Sequence, residues 1–146
     1  MRSDTVLLRP AEERDAPVLA ALFSALGHDA TASDVARRLA RARELDPRGF
    51  QAVAESDDEV VGFVAAHLTP MLDRELPVGR VTTLVVAEGR RGQGVGSFLL
   101  AAAEAWCRER GTVRIELTTG VEREEAHRFY DRRGFRREGL RFVRED

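Results

Sequence analysis

Two hydrophobic periods run along this chain, one typical of strands and one typical of helices. The longest helical pattern lies in the second half, where apolar residues recur every three or four positions until Gly111 ends the helix. The apolar face of this helix consists of Val95, Phe98, Leu99, Ala102 and Trp106. A β-branched run at residues 81–86 precedes it, and a glycine-rich segment separates the two. This order predicts a strand, a tight loop and a helix in succession.

Shorter patterns in the rest of the chain predict the remaining elements. Alternating or continuous apolar runs predict strands at residues 5–9, 50–55, 60–68, 112–118 and 135–144. Helical spacing and N-terminal capping residues predict helices at residues 15–26, 33–44 and 123–133. Polar residues 56–59 predict a hairpin turn between two of the strands. The order βααβββαβαβ predicts an α/β (α+β) fold in which a mixed sheet carries helices on both faces.

Length and charge limit the classes of protein that fit. A chain of 146 residues with a net charge of −2 is expected to form a single domain, residues 1–146, without a nucleic-acid or membrane partner. Because the first residues resemble neither a secretory signal nor a membrane span, the expected location is cytoplasmic. The lone Cys107 is expected to be a packing residue. No metal site is expected, because the three histidines lack the spacing of metal ligands.

The segment before the long helix has the composition of an anion-binding loop. Three glycines at alternate positions stand beside Arg91, and the helix that follows presents unpaired backbone N–H groups. A phosphate or pyrophosphate fits this design. A P-loop is excluded, because the chain contains no lysine. A dinucleotide fold stays open, since Gly92-x-Gly94-x-x-Ser97 is close to its fingerprint and Glu116 lies near the position of its ribose-binding acid.

A second motif downstream bears on these alternatives. The loop reads RRGQGVG at residues 90–96, and the later helix reads AHRFYDRRGF at residues 126–135. Together the two motifs resemble those of the GNAT family of acyl-CoA-dependent N-acetyltransferases, over residues 81–142. Within that family, the run at residues 116–130 and the pair His67-Leu68 look most like the aminoalkylphosphonate N-acetyltransferase branch.

The resemblance implies a fold, a cosubstrate and a binding surface. The sheet is expected to be largely antiparallel, with a splay between strands 4 and 5. The expected cosubstrate is acetyl-CoA, whose pantetheine arm would pair with the main chain of Leu84, Val85 and Val86. The residues expected to hold its pyrophosphate are Arg91, Gly92, Gln93, Gly94, Val95, Gly96 and Ser97.

Acetyl transfer to an amine also needs an acid for the leaving thiolate and a base for the amine. By resemblance Tyr130 is the general acid, and a tyrosine is protonated at neutral pH. The base is less clear, because this chain has Thr83 where many family members carry a glutamate, and a hydroxyl is no base at neutral pH. Three alternatives remain, which are Glu116, His67 and an ordered water that relays the proton to either.

The acceptor is expected to be a small-molecule amine. Asp73, Glu75 and Glu116 would attract a cationic amine, whereas Arg74 and Arg80 would hold an anionic group. A homodimer that pairs through the last predicted strand is the expected assembly. Thr83 keeps a second function open, a catalytically weak acyl-CoA-binding sensor of the same fold. A nucleotide-binding oxidoreductase is the third.

Overall fold

The computed structural model describes residues 5–119 and 123–146, and its centre is a five-stranded sheet in the order β1-β2-β3-β4-β5. The strands are β1 (Leu7–Pro10), β2 (Phe50–Ser56), β3 (Glu59–Thr69), β4 (Val78–Val86) and β5 (Ile115–Leu117). Neighbouring strands from β1 to β4 are antiparallel, whereas β5 is parallel to β4. The predicted mixed, largely antiparallel sheet is confirmed. These strands do not form the doubly wound parallel sheet of a dinucleotide fold.

Four helices pack on the two faces of the sheet. They are α1 (Ala16–Ala25), α2 (Ala32–Leu45), α3 (Val95–Glu109) and α4 (Glu124–Arg132). Helices α1 and α2 share a core with Val53, Phe63 and Val85, while α3 and the aromatic side chains of α4 share a second core with Val64 and Val81. Successive strand residues are therefore buried on opposite faces, which explains the long apolar runs. Within the described residues, no helix is both long and apolar enough to cross a bilayer.

Polar contacts fix the starts of α1 and α2. Arg9 on β1 pairs with Asp15 (2.8 Å), which lies just before α1, and with Glu55 (2.5 Å) on β2. The hydrogen bond from the Arg9 guanidinium lowers the pKa of buried Asp15. Thr31 and Asp34 form a capping box at the start of α2, in which each side chain accepts the other's backbone N–H at 3.0 Å. The bond from the Thr31 N–H lowers the pKa of Asp34 to about 2.

The predicted hairpin turn at residues 56–59 is confirmed. Ser56 pairs with Glu59, so a two-residue loop joins β2 to β3. The loop residues Asp57 and Asp58 have φ angles of 53° and 63°. Two successive positive φ angles match the twist of the flanking strands, and aspartate tolerates this conformation better than most residues.

Strand β4 loses its β5 partner halfway along its length. Its pairing with β5 covers residues 79–81, and within the described part of the chain residues 83–86 pair only with β3. At the same point two consecutive residues of β3 pair with Thr83 and Val81, which makes Thr82 an extra residue in the ladder. A bulge of this kind bends the strand locally. Among the described residues no strand pairs with β4 on the β5 side beyond Val81, so the second half of β4 has an open edge there, as the expected splay requires.

The prediction of a final strand at residues 135–144 is wrong, and the strand at 112–118 is limited to Ile115–Leu117. Alternating apolar residues form a strand only where a partner strand and an apolar face receive them. Here Leu140 and Phe142 are 85% and 89% exposed, while Arg137 pairs with Asp131 on α4 at 2.9 Å. The strand on which the expected homodimer depended is therefore absent, and the homodimer stays a prediction without that edge.

Candidate active site

The loop between β4 and α3 has the geometry of an anion-binding loop. After a short 3-10 turn at Glu88–Arg90, the chain passes through Gly92 and Gly94, whose φ angles are +78° and +85°. L-residues with side chains seldom adopt such angles. Gly94 caps α3, and its carbonyl accepts the first helical bond from the Phe98 N–H at 3.0 Å. The N–H groups of the first turn therefore face the loop, at the positive end of the helix dipole.

The space beside these glycines is open. A β-carbon at Gly92 or Gly94 would meet no heavy atom within 4 Å, whereas one at Gly96 would lie 3.5 Å from the Phe129 ring and 3.6 Å from Val86. The end of β4, the start of α3 and α4 therefore meet at Gly96. An open cradle of backbone N–H groups is of the kind that fits a pyrophosphate, and the acetyl-CoA site expected at these residues stays a prediction.

The other expected loop residues divide into anchors and exposed groups. Val95 is 1% exposed and belongs to the α3 core, while Ser97 is half-buried in the first turn of the helix. The exposed Gln93 donates from its amide nitrogen to the Gly89 carbonyl at 3.4 Å, which closes the loop on itself. Leu84 and Val86 pack toward α3 and Val85 toward α1 and α2, so their side chains fix β4 while the main chain stays open along its free edge.

The two neighbouring arginines of the loop have different surroundings. Arg90 donates to the hydroxyl of buried Ser56 at 3.0 Å and so ties the loop to the β2–β3 hairpin. Arg91 is exposed and lines a polar cavity of about 480 Å³ between α1 and α4. Arg123 and Arg128 line the same cavity, together with the carboxylates of Glu124 and Glu125. Three guanidinium groups against two carboxylates leave a small net positive charge next to the glycine loop.

Tyr130 lies on α4, one residue after the phenylalanine that touches Gly96. Its ring packs edge-on against Phe129 and Phe135, with centroid distances of 5.2 and 5.8 Å. Burial raises the pKa of Tyr130 above its usual value, because the low-dielectric surroundings disfavour the phenolate. The phenol is therefore protonated throughout the neutral range, as a proton donor must be.

A second cavity of about 450 Å³ lies on the other face of the sheet, between α1, α2 and strands β2 to β4. Its lining includes His67, Thr82 and Thr83, beside the bulge at which β4 loses its β5 partner. Of the three groups considered for the base, His67 is thus brought to a cavity that borders the open half of β4.

Glu116 has a different position. It lies on β5, and its carboxylate pairs with Arg114 at 2.8 Å and with Arg80 at 4.0 Å. It does not line the cavity that holds His67. A carboxylate compensated by two guanidinium groups is less available to an incoming ammonium group than a free one. The structure therefore gives different surroundings to Glu116 and His67, the two side chains that the sequence left open as the base.

Three features of this region escaped the sequence analysis, namely the bulge at Thr82, the cavity beside it and the anchoring role of Arg90. The one local signal was the pair Thr82-Thr83, two β-branched polar residues in an otherwise apolar strand. Cys107 is buried, as expected, and burial raises the pKa of its thiol. Its sulfur would lie 2.5 Å from a β-carbon at Gly79, which explains the need for glycine there. In the described part of the chain, no three His, Cys, Asp or Glu residues are grouped as a metal site requires.

Comparison with known proteins identifies the family. Residues 17–135 match the model of the Acetyltransferase (GNAT) family, and the chain belongs to that family. The resemblance recognised in the two motifs is thereby confirmed.

Individual relatives extend the comparison. Over 100 residues the chain is 39% identical to an aminoalkylphosphonate N-acetyltransferase of Salmonella typhimurium, a match that covers 68% of this chain and 65% of that protein. It is 34% identical over 109 residues to a mycothiol acetyltransferase of Rhodococcus jostii, of which the match covers 35%. The fold is similar to that of the aminoglycoside N-acetyltransferase AAC(6')-Iy in complex with CoA, with a TM-score of 0.83, 19% identity and coverage of 99% and 97% of the two chains. The matched segment thus spans less than two thirds of both relatives compared by sequence.

Proposed function

We propose that this chain transfers the acetyl group of acetyl-CoA to the primary amine of a small molecule. The observation that carries the proposal is that Val86, Gly96 and Phe129 meet. A β-carbon at Gly96 would lie 3.5 Å from the Phe129 ring and 3.6 Å from the Val86 side chain. This meeting brings the open half of β4 and the glycine loop together with the helix that bears Tyr130. The relatives support the reaction class, since both sequence relatives are named as acetyltransferases.

Acetyl-CoA supplies an activated acyl group, whose carbonyl carbon accepts the amine nitrogen while the carbon–sulfur bond breaks. In this proposal the glycine loop and Arg91 hold the pyrophosphate, and the open edge of β4 pairs with the pantetheine arm. A backbone N–H of residues 84–86 polarises the thioester oxygen. Tyr130 donates its proton to the departing sulfur.

His67 takes the amine proton in this mechanism. It is favoured over Glu116 because it lines the cavity beside the β4 bulge, whereas Glu116 is paired with Arg114 and Arg80. Histidine is also the side chain whose charge changes near neutral pH in its ordinary state. A water between the amine and His67 would serve the same purpose if the two groups do not touch.

The experiment is a screen of primary amines for release of free CoA, with acetyl-CoA binding measured separately by calorimetry. Turnover with at least one amine, at a rate well above hydrolysis of acetyl-CoA, is the expected result. Tight acetyl-CoA binding without turnover of any amine would instead favour the acyl-CoA sensor. The reason for considering this alternative is Thr83, which stands at the usual glutamate position. Competition between NAD and CoA for the protein tests the oxidoreductase alternative, for which no competition is expected.

A further inference from the structure

The cavity beneath α1 and α2 is a feature of the site that neither motif describes. Its volume of about 450 Å³ lies within the range of about 300–1,000 Å³ that is usual for small-molecule pockets. Its walls are mainly hydrocarbon, and its apolar lining residues include Leu19, Phe23, Leu39, Leu45, Phe50 and Phe63. A polar acceptor would leave most of these walls without a suitable partner, because hydrocarbon offers no hydrogen bonds.

The walls are also held in place before any ligand binds. Phe63 is 5% exposed and packs edge-on against Phe23 with a centroid distance of 5.7 Å. Leu19 is 1% exposed, and α1, to which it belongs, is tied to the sheet through the Arg9–Asp15 ion pair. A preformed apolar cavity loses little conformational entropy when it binds an apolar ligand of matching shape.

The polar lining residues of this cavity fall into two groups. His67, Thr82 and Thr83 lie on β3 and β4, next to the β4 stretch assigned to the thioester. Arg38 and Asp46, on α2 and at its C-terminal end, carry opposite charges, and Gln51 on β2 is neutral. An amine beside His67 and Thr83 would therefore place the rest of its molecule along the apolar walls.

The arginines suited to an anionic acceptor are placed elsewhere. Arg80 donates to the Thr118 hydroxyl at 2.6 Å and pairs with Glu116, and neither Arg80 nor Arg74 lines the cavity. Among the described lining residues Arg38 is the single arginine, and it is exposed. A compact dianion such as a phosphonate would have to enter an apolar space without a buried cation to compensate it.

We infer that the acceptor of this chain is a primary amine on an apolar body, aromatic or branched alkyl, which fills the cavity between α1, α2 and the sheet. The amine nitrogen lies at His67 and Thr83, facing the open half of β4. This inference rests on the proposed acetyl transfer and narrows its substrate class. It differs from the chemistry in the name of the Salmonella relative, whose acceptor carries a phosphonate.

The first test compares three amines with the unaltered protein. Each buried methylene adds roughly a fourfold gain in kcat/KM, so 2-phenylethylamine is expected to exceed ethylamine by at least about 30-fold. We expect 2-aminoethylphosphonate to be no better than ethylamine. A kcat/KM for 2-aminoethylphosphonate above that for 2-phenylethylamine would overturn the inference while leaving acetyl transfer intact.

The second test places a side chain inside the cavity. Ala42 is half-buried on α2 and lines the cavity, whereas Ala40 is exposed on the same helix and does not. Ala42→Phe is expected to reduce the preference for 2-phenylethylamine over ethylamine from about 30-fold to about threefold or less. Ala40→Phe, the matched control, should retain the preference of the parent. An unchanged preference in folded Ala42→Phe would contradict the inference, and Ala42→Leu serves if the larger ring prevents folding.

A binding measurement separates this inference from the proposed reaction. Calorimetry of the CoA-loaded protein with 2-phenylethylamine reports the cavity without requiring turnover. Binding that Ala42→Phe abolishes, together with no CoA release from acetyl-CoA, would retain the apolar ligand site and reject acetyl transfer. Absence of binding by 2-phenylethylamine, together with turnover of 2-aminoethylphosphonate, would retain acetyl transfer and reject the apolar ligand site.

Discussion

The two ligand regions of this molecule are assembled in different ways. The glycine loop is a continuous segment, in which Gly92 and Gly94 create the cradle by their own backbone angles and α3 follows at once. The apolar cavity draws on α1, α2 and three strands, from Leu19 to Thr83, and no two of these elements form it alone. The first region depends on local conformation, and the second depends on how distant segments pack. Substitutions that act on one region should therefore leave the other largely unaffected.

The largest effect is expected from Gly94→Val. A side chain at φ +85° strains the loop, and its β-carbon occupies the open space in which a pyrophosphate would lie. We expect the Kd for acetyl-CoA, measured by calorimetry, to rise about 10³-fold, equivalent to about 4 kcal/mol.

The control for this change is Gly111→Val, which has a comparable φ of +88° at the opposite end of α3 and equally open surroundings. It should cost similar stability, in the range of about 1–2 kcal/mol, while the affinity for acetyl-CoA stays close to that of the parent. A similar loss of affinity in both variants would mean that strain, and not the cradle, determines binding.

Tyr130→Phe tests whether the helix that meets the loop contributes chemistry. The ring contacts with Phe129 and Phe135 are retained and only the proton donor is lost, so kcat should fall about 10²-fold with little change in acetyl-CoA affinity. In the parent, the raised pKa of Tyr130 keeps the donor protonated from neutral pH upward past the ordinary tyrosine value, so activity should decline only at still higher pH. Phe135→Leu, which changes the packing but keeps the hydroxyl, should retain most of kcat. Equal losses in the two variants would assign Tyr130 a packing role.

His67→Gln addresses the cavity side of the comparison. If the imidazole takes the amine proton, kcat/KM should fall about 30-fold, because glutamine cannot accept a proton. Glu116→Gln is the counterpart, and we expect it to change the rate about threefold or less, since the carboxylate is already paired with Arg114. Rate measurements from pH 5 to 9 with one amine decide between them, and the opposite ranking would make Glu116 the base.

The smallest effect distinguishes the two adjacent arginines of the loop. Arg91→Ala should weaken acetyl-CoA binding about fivefold without altering stability, because Arg91 is exposed and supplements several backbone donors. Arg90→Ala should lower the free energy of unfolding by about 1 kcal/mol, because the bond to buried Ser56 is lost. Calorimetry and urea unfolding measure the two quantities separately. A stability loss confined to Arg91→Ala would make Arg91, and not Arg90, the residue that anchors the loop.

The sequence was most informative for features whose conformation depends on neighbouring residues. The loop glycines, the hairpin at residues 56–59 and the helix from Val95 to Glu109 follow from local turn chemistry and periodicity, and all three are present. The position of Tyr130 on α4 followed from the motif around it. Its catalytic role, like the roles of Glu116 and His67, stays a prediction.

Prediction was least successful where a partner from elsewhere decides the outcome. Residues 135–144 alternate like a strand, yet β5 is three residues long and the segment is held by charged contacts such as Arg114–Glu138 at 2.9 Å. Pairing depends on a second strand, and no pattern within one segment encodes it.

The sequence by itself therefore determined the order of the elements from β1 to α4, the glycine-rich loop and the family, because each follows from local patterns and short motifs. Only the tertiary structure decided that β4 leaves β5 after Val81, that Thr82 is an extra residue in the ladder, and that His67 lines an apolar cavity. It also placed Glu116 between two arginines. These features arise from contacts between segments far apart in the chain, whose free energy depends on geometry that appears only when the sheet and its helices have packed.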